Sequence, residues 1–496
     1  MVDNKSQIEH SISQVRKRDG SVSDFNRDKI LNAIYKAFSA SNKPDKELAI
    51  KLADGVLTKL TEHGFSANNP PSVESIQDLV ESTLIDQGHS DIAKSYILYR
   101  HERRKVREEK MKVLNTKKLD SVGKSFDINC LRVMASRYLF RDGKNEIIEK
   151  PSELFERVAV LVSISDLIRD SYLFTKDGGI SQNLEEAAEY LKKLDDFNYK
   201  FKIGKYYLNK WHFRCLINCY LDLAKQGMMK ASFKELLTML ASKKFDAYAD
   251  RISEYYGLMT SQDFLPNSPT MMNAGGRLGQ LSACFVLGMP DDMQSIMKTT
   301  SDAALIFKSG GGVGINYSDL RDEGEIVAST SGVASGPVSF MNIINTVTEV
   351  VKQGGKRRGA NMGIMEVWHP DIEKFITNKT EPGVLENFNV SVGVWKDFWD
   401  ILVNSEDGKY TLRSPKDNSS AGEINAHHLI DLIAQSAWKS AEPGLIFFDN
   451  INKYIKSLDS ILNKNTSECP NRRMYAATSI DPLNISIVHS FVEEIL

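Results

Sequence analysis

One cysteine of the chain stands in a segment whose residue types could seat a phosphorylated ligand beside a thiol. The segment Phe264–Leu287 reads FLPNSPTMMNAGGRLGQLSACFVL, with short polar side chains around Pro269 and a glycine-containing turn at Asn273–Gly276. Leu281–Leu287 is an apolar run typical of a buried strand in an α/β protein, and it carries Cys284. A hydroxyl-rich loop leading into this strand would place polar groups next to the thiol. A small core cysteine is the alternative reading of the same residues.

The order of residues in this segment resembles one family. N-S-P-T-x-M-N-A-G followed by L-S-A-C-F-V-L is similar to the large subunit of ribonucleotide reductases, and most similar to their adenosylcobalamin-dependent (class II) branch. In that family the cysteine of this strand is one of two thiols that give hydrogens to the substrate ribose and end as a disulfide. The resemblance implies that Cys284 is catalytic, that Ser268 binds the substrate phosphate, and that the backbone of Ala283 and Cys284 lies along the nucleotide.

The bulk composition narrows the possible partners and compartments. The 496 residues allow two or three domains, and 63 Lys and Arg nearly balance 65 Asp and Glu, so no global field favours nucleic acid or anionic membrane. The polar start and the lack of long apolar stretches predict neither signal peptide nor membrane span. An odd set of cysteines without CxxC spacing fits a reducing cytoplasm rather than a disulfide-built secreted protein or a zinc ribbon. These cysteines are Cys130, Cys215, Cys219, Cys284 and Cys469.

Two of the cysteines lie four residues apart, in CLINC. At that spacing Cys215 and Cys219 would share one face of a helix, in a stripe with Leu208, Trp211 and Leu223. A metal or redox pair is one interpretation. The pattern favours two buried core thiols, since free cysteines commonly behave as small apolar residues.

Residues 1–110 are predicted to form a small, mostly helical α+β domain. V-R-K-R-D-G-S-x-x-x-F-x-x-x-K-I-x-x-A-I resembles the ATP-cone, a regulatory domain that binds ATP or dATP at the front of many reductases. The resemblance assigns nucleotide contacts to Lys17, Arg18, Ser23 and Lys29. A hydroxyl expected at the start of the third helix falls at Val73, where this sequence departs from the cone. From the residues alone, a solvated charged face is the alternative.

The rest of the chain divides into three parts. Residues 111–260 carry helical stripes of apolar residues and resemble the helical region that precedes the reductase barrel. Residues 261–453 resemble the first part of a ten-stranded α/β barrel, and 454–496 depart from the family. The predicted fold class is therefore mixed α/β: an ATP-cone, a helical region, then the first half of the barrel.

Two glycine-rich segments could approach ligands closely. Ser309–Asn316 has four glycines in five residues but lacks the endings of a P-loop and of GxGxxG. The resemblance makes it a barrel strand in which Gly312 contacts substrate; a bend without ligand is the alternative. Tyr317–Ser339 and Lys352–Asn361 resemble loops 1 and 2, which relay a bound dNTP effector to the substrate base. The implied effector contacts are Asp291, Arg321, Lys356 and Arg358, at a site normally formed between the subunits of a homodimer.

Glu366 and His369 in MEVWHPDIEKF are residue types that could bind a metal or act as an acid and a base. The resemblance favours a structural junction in which His-Pro ends a strand and starts a helix. We therefore expect no metal site here.

The motif that carries the radical chemistry of the family does not occur in this sequence. No N-x-C-x-E is present, and Cys469 has similar neighbours in the wrong order. We expect the chain to be an N-terminal part completed by a second polypeptide with N-x-C-x-E, and to be inactive alone. A non-catalytic nucleotide-binding remnant, or a large subunit of the oxygen-dependent class I branch, are the alternatives.

The resemblance also implies the partners of the complete enzyme. These are ribonucleoside diphosphate substrates, adenosylcobalamin, ATP, dATP and other dNTP effectors, and an external thiol reductant such as thioredoxin. No direct binding of nucleic acid or membrane is expected.

Overall fold

The computed structural model describes residues 12–18, 20–176, 178–179, 184–196, 201–327, 332–351, 359–381 and 383–453. The chain forms two compact units, Met1–Glu153 and Leu154–Leu496. In the described ranges no helix has both the length and the apolar character needed to cross a membrane.

The first unit opens with a hairpin packed among four helices. Strands β1 (Gln14–Arg16) and β2 (Val22–Asp24) pair antiparallel. The helices are α1 (Arg27–Ala40), α2 (Lys46–Glu62), α3 (Val73–Asp86) and α4 (Ser90–Val113). Apolar residues at spacings of three and four bury one face of α1, namely Ile30, Ile34, Ala37 and Phe38, against α2 to α4. Two short helices, α5 (Ser121–Ser125) and α6 (Ile128–Val133), follow, and a π-helical turn, Met134–Tyr138, continues α6.

The second unit begins with a helical layer. Its helices are α7 (Pro151–Leu167, which starts in the first unit), α8 (Leu184–Lys192), α9 (Lys210–Lys225), α10 (Phe233–Ala241) and α11 (Tyr248–Thr260). A short hairpin of β3 (Lys202–Ile203) and β4 (Tyr206–Tyr207) precedes α9. The predicted apolar stripe on α9 is only partly right. Its ends, Leu208 and Leu223, are buried, but the fully buried face between them is Phe213, Leu216, Ile217 and Tyr220.

A five-stranded parallel sheet forms the centre of the second unit. Its strands are β5 (Cys284–Leu287), β6 (Gly312–Asn316), β9 (Asn361–Glu366), β10 (Phe388–Val394) and β13 (Gly444–Phe447). They lie in the order β13-β10-β9-β6-β5, and every neighbouring pair is parallel. The mixed α/β class is thereby confirmed, and the two predicted strand segments supply β5 and β6.

The connections of the sheet supply helices and small hairpins. The helices are α12 (Ser268–Asn273) before β5, then α13 (Met293–Lys308), α14 (Pro337–Val350), α15 (Ile372–Thr377), α16 (Lys396–Asn404) and α17 (Ala426–Ser440). The hairpins are β7 (Ile326–Val327) with β8 (Gly332–Val333), and β11 (Lys409–Arg413) with β12 (Ser420–Asn425). One continuous apolar core joins the sheet to these helices, and Phe307, Ile344, Phe375 and Val392 are among its buried residues.

Candidate functional site

The structure places Cys284 beside Gly312 at one edge of the sheet. Cys284 is the first residue of β5, its side chain is exposed, and it is the register partner of Gly312, the first residue of β6. The amide of Gly312 donates to the carbonyl of Ala283 at 2.7 Å. A Cβ at Gly312 would lie 2.9 Å from the carbonyl oxygen of Ala360, so the strand spacing itself requires glycine. Three of the predicted substrate residues are thus adjacent, next to a thiol open to solvent.

Ser268 lies at the start of a short helix tied to the same strand. The sequence predicted a loop here, but Ser268–Asn273 forms the helix α12, capped by Asn267, whose side chain accepts from the amide of Thr270 at 2.9 Å. The hydroxyl of Thr270 donates to the carbonyl of Leu281 at 3.1 Å, and the side-chain amide of Asn273 donates to the carbonyl of Gln280 at 2.8 Å. These two bonds join α12 to the segment just before β5, which begins at Cys284.

A buried arginine holds the other end of α12. Arg157, on α7, is only 5% exposed, and its guanidinium donates to the carbonyls of Ala274 at 2.5 Å and Met271 at 3.0 Å. The last carbonyls of a helix have no partner within the helix, and a cation is favourable there. Arg157 therefore fixes where α12 ends relative to the helical layer.

A buried histidine completes this contact. The Nδ1 atom of His212 accepts from the backbone amide of Asn209 at 3.1 Å, so the proton lies on Nε2, which donates to the carbonyl of Arg157 at 2.9 Å. Burial lowers the pKa of His212 to about 4 from 6.5, outweighing the hydrogen bond to that carbonyl; the charge of Arg157 lowers it further. A Cβ at Gly275, whose φ is +64°, would lie 2.6 Å from Nε2. The side-chain amide of Asn209 donates to the carbonyl of Gly275 at 3.0 Å.

These three residues, Arg157, Asn209 and His212, which we call the α12 clamp, were not predicted from the sequence. An arginine within an apolar helical stripe resembles a surface residue at a helix edge, and nothing in its spacing indicates burial. The available signal was N-K-W-H, since Asn209 and His212 form a capping box at the start of α9. That motif predicts a helix start but not its contacts with Gly275.

The predicted effector residues lie toward the opposite end of β5. Asp291 follows β5 and Arg321 follows β6, and the Arg321 Nε atom donates to an oxygen of Asp291 at 2.7 Å, in an ion pair about 30% exposed. The structure thus joins two of the four predicted contacts. Lys356 and Arg358 lie outside the described residues.

Glu366 and His369 serve the structure of this region. His369 is fully buried, and its ring is hydrogen bonded to the carbonyl of Leu320 at 2.8 Å and to the amide of Asp371 at 3.0 Å. Burial lowers its pKa. Glu366 accepts from the indoles of Trp368 and Trp395, each at 2.7 Å. The bond from His369 to Leu320 therefore fixes the segment after β6 to the junction between β9 and α15.

The predicted ATP-cone contacts surround the first hairpin. Lys17 and Arg18 lie in its turn, Ser23 on β2, and Lys29 is exposed in the first turn of α1. Arg18 forms an ion pair with Glu74 of α3. Burial acts to raise the pKa of Glu74, but the hydrogen bond and charge of Arg18 outweigh it and the pKa is lowered. The four residues therefore lie on neighbouring segments, and Arg18 is already ion-paired with a residue of α3.

Comparison with known proteins accounts for most of the chain. Residues 13–105 match the ATP cone domain, 124–279 the all-alpha domain of ribonucleotide reductase, and 282–465 its barrel domain. The vitamin B12-dependent ribonucleoside-diphosphate reductase of Thermoplasma acidophilum is 40% identical over 489 residues, covering 96% of this chain and 59% of the relative. The protein of that name from Mycobacterium tuberculosis is 31% identical, covering 89% of this chain and 51% of the relative.

A more distant relative is the ribonucleoside-diphosphate reductase subunit alpha of Chlamydia pneumoniae, 26% identical over 82% of this chain and 46% of its own length. The chain thus spans roughly half the length of the curated relatives that it matches. The cone, the all-alpha domain and the barrel domain follow one another in the order that the sequence predicted. The chain therefore belongs to the ribonucleotide reductase family, as a large-subunit sequence with an N-terminal ATP-cone.

Proposed function

We propose that this chain provides the substrate-binding and regulatory part of a ribonucleoside-diphosphate reductase of the adenosylcobalamin-dependent branch. The observation that carries the proposal is the exposed thiol of Cys284 at the first paired residue of β5, in register with Gly312. Ser268 starts the helix that is hydrogen bonded to the segment just before this strand. A nucleotide lying along the amino ends of β5 and β6 would have backbone groups, a hydroxyl and a thiol within one site.

In the proposed reaction Cys284 supplies half of the reducing equivalents. A ribonucleoside diphosphate and two thiols give the deoxyribonucleoside diphosphate, water and one disulfide, so the 2′-hydroxyl leaves as water and two sulfurs are oxidised by two electrons in total. Thiol pairs suit this step because they close to a disulfide that a second dithiol can reduce again. We assign the second thiol to the part of the barrel that carries N-x-C-x-E, and the re-reduction to an external dithiol protein such as thioredoxin.

The cofactor assignment rests on the relatives, two of which are named vitamin B12-dependent. Adenosylcobalamin would supply the radical that starts the reaction; among the described residues we assign no cobalamin contact. The residues of this chain bind and orient the nucleotide, and Cys284 gives up its hydrogen. We further propose that ATP and dATP act at the cone, that a dNTP binds near Asp291 in a homodimer, and that the enzyme works in the cytoplasm.

Protection of Cys284 from alkylation tests the substrate site directly. With the 496-residue chain in ATP, adding CDP should slow iodoacetamide labelling of Cys284 about tenfold, because a nucleotide along β5 covers the exposed thiol. Peptide mass spectrometry measures each cysteine separately.

Cys130 is the internal control for this labelling. It is half-buried, and its thiol donates to Asp127 at 3.1 Å, in the first unit. Its labelling rate should stay the same with CDP. Equal rates for Cys284 with and without CDP would remove the basis of the proposed substrate site.

The proposed effector site predicts a loss of dNTP affinity on replacing Asp291. Asp291→Ala removes a carboxylate that can accept a hydrogen bond from an effector hydroxyl, and it leaves Arg321 without this partner. A charge-assisted hydrogen bond contributes about 1.5–3 kcal/mol, which corresponds to about 10- to 150-fold in affinity for dTTP. Isothermal titration calorimetry of the full chain measures it.

The adjacent carboxylate gives a matched control. Asp292 caps α13 by accepting from the amide of Ser295 at 2.9 Å, and Asp292→Asn keeps a capping side chain while removing the same charge. Its dTTP affinity should stay within about twofold of the unmodified chain. If both variants bind dTTP as the unmodified chain does, the effector site lies elsewhere.

A further inference from the structure

Helix α9 carries a pair of half-buried cysteines that the proposed reaction does not use. The Sγ atoms of Cys215 and Cys219 are 3.9 Å apart, and both residues are half-buried. Trp211, one turn earlier on the same face, is also half-buried. The fully buried face of α9 is formed by other residues, and the two cysteines lie at its margin with their sulfurs in contact.

The spacing fits a bridging metal ion better than a disulfide. Side chains four residues apart on a helix have Cβ atoms about 5–6 Å apart, whereas a disulfide needs about 3.5–4.5 Å. A metal–thiolate bond is about 2.3 Å long. With the two sulfurs at their present separation, the sulfur–metal–sulfur angle at a shared ion would be about 116°. Moving the sulfurs apart by about 0.7 Å, through side-chain rotation, would make the arrangement linear.

The number of ligands selects the kind of metal. Among the described residues no cluster of three or more His, Cys, Asp or Glu side chains could hold an ion. Structural Zn²⁺ sites use four ligands, and hard cations prefer oxygen. Two thiolates without further ligands suit a soft, low-coordinate ion such as Cu(I).

Arg214 precedes Cys215 on α9, and its guanidinium carbon lies 4.8 Å from the ring centroid of Trp211. Binding of Cu(I) to the two cysteines would release two protons and leave a bis-thiolate complex of net charge −1, on the same helix as this cation.

We propose that Cys215 and Cys219 form a binding site for one Cu(I) ion or a similarly soft monovalent metal. This site is separate from the Cys284 site and does not depend on the reductase assignment. Arg214 donates to the carbonyl of Arg277 at 2.6 Å, so the same helix contacts the segment between α12 and β5. An ion bound here would therefore lie on an element that supports the substrate segment.

The experiment is an anaerobic Cu(I) titration of the full chain against the chelator bicinchoninate. The unmodified chain should retain one Cu(I) that Cys215→Ser or Cys219→Ser weakens at least 100-fold, since each variant leaves one ligand. Cys130→Ser, Cys284→Ser and Cys469→Ser should retain it. X-ray absorption should give two sulfur ligands, and Zn²⁺ under the same conditions should not be retained.

Three results would overturn the proposal: no Cu(I) held by the unmodified chain, retention unchanged in Cys219→Ser, or loss in one of the other cysteine variants. Emission of Trp211 supplies a second measurement, because an ion one turn away should quench it in the unmodified chain but not in Cys215→Ser. Alanine replacements at Cys215 and Cys219 guard against a fold defect from serine. Each should match its serine counterpart in copper binding and keep the circular dichroism of the unmodified chain.

Discussion

Cys284→Ser should reduce deoxynucleotide formation by the complete enzyme to background, a loss of at least about 10³-fold. A serine hydroxyl keeps the size of the side chain at the start of β5 but cannot be oxidised to a disulfide, so the two-electron reduction loses one of its two sulfurs. Because Cys284 is exposed and at a strand end, the replacement should leave the fold intact. The effect would therefore be chemical rather than structural.

The assay mixes this chain with adenosylcobalamin, a dithiol, labelled CDP and a second polypeptide. The second polypeptide is the part of the Thermoplasma acidophilum relative that has no counterpart in this chain. Chromatography of the dephosphorylated products measures dCDP formation. Cys130→Ser is the matched control, since it removes a half-buried thiol in the other unit and should keep full activity. The chain alone, which has no N-x-C-x-E, should form no dCDP.

Thiol counting separates reduction from binding. In a single turnover without added dithiol, the unmodified mixture should lose two titratable thiols per dCDP formed. Cys284→Ser should bind CDP and lose none. If that variant keeps more than a tenth of the activity, another cysteine reduces the substrate and Cys284 is only a neighbour of the site.

The strand that carries this thiol, β5, could be predicted from the sequence only in part. An apolar run predicts a strand, and four of its seven residues, Cys284–Leu287, form β5. Its first three residues lie outside the strand, next to the place where Thr270 and Asn273 bond to the carbonyls of Leu281 and Gln280. Such side-chain bonds to backbone are three-dimensional facts that no period in the sequence encodes.

The pairing of Cys284 with Gly312 was predictable only through the family. Neither residue has a spacing that relates it to the other, since 27 positions and the helix α13 separate them. Parallel strands require such a crossover, so a βαβ unit could be expected, but its register is set by packing in the core. The α12 clamp was missed for the same reason: it joins α7, α9 and α12, which lie far apart along the chain.

The apolar stripe predicted on α9 is right only at its ends. Residues at spacings of three and four from Leu208 to Leu223 predicted the core face, because apolar residues and cysteines are often buried. The second stripe, Phe213, Leu216, Ile217 and Tyr220, is equally periodic and packs inside. A helix with two apolar stripes cannot be oriented from its own sequence.

Lowering the pH from 7.5 to 4 should cost the second unit about 3 kcal/mol of stability through His212 alone. The folded pKa of this residue, about 4, lies below its ordinary value of 6.5, because burial disfavours the charged ring. A depressed histidine pKa means that the unfolded chain binds the proton more readily. The contribution is therefore fully present above pH 6.5 and is lost as the pH falls toward 4.

Tryptophan fluorescence isolates this effect in urea unfolding. All five tryptophans, at 211, 368, 395, 399 and 438, lie in the second unit, so their emission does not report on the ATP-cone. His212→Gln keeps a side-chain amide that can donate to the carbonyl of Arg157, and it does not titrate. The loss of unfolding free energy between pH 7.5 and pH 4 should be about 3 kcal/mol smaller in this variant.

His427→Gln is the matched control, because His427 is exposed at the start of α17 in the same unit. Its acid destabilisation should equal that of the unmodified chain. Equal pH dependence in all three proteins would mean that the ring of His212 accepts a proton in the folded state without penalty. The clamp would then tolerate a charged imidazolium beside Arg157. Burial next to α12 would not be the reason why His212 is neutral in the folded chain.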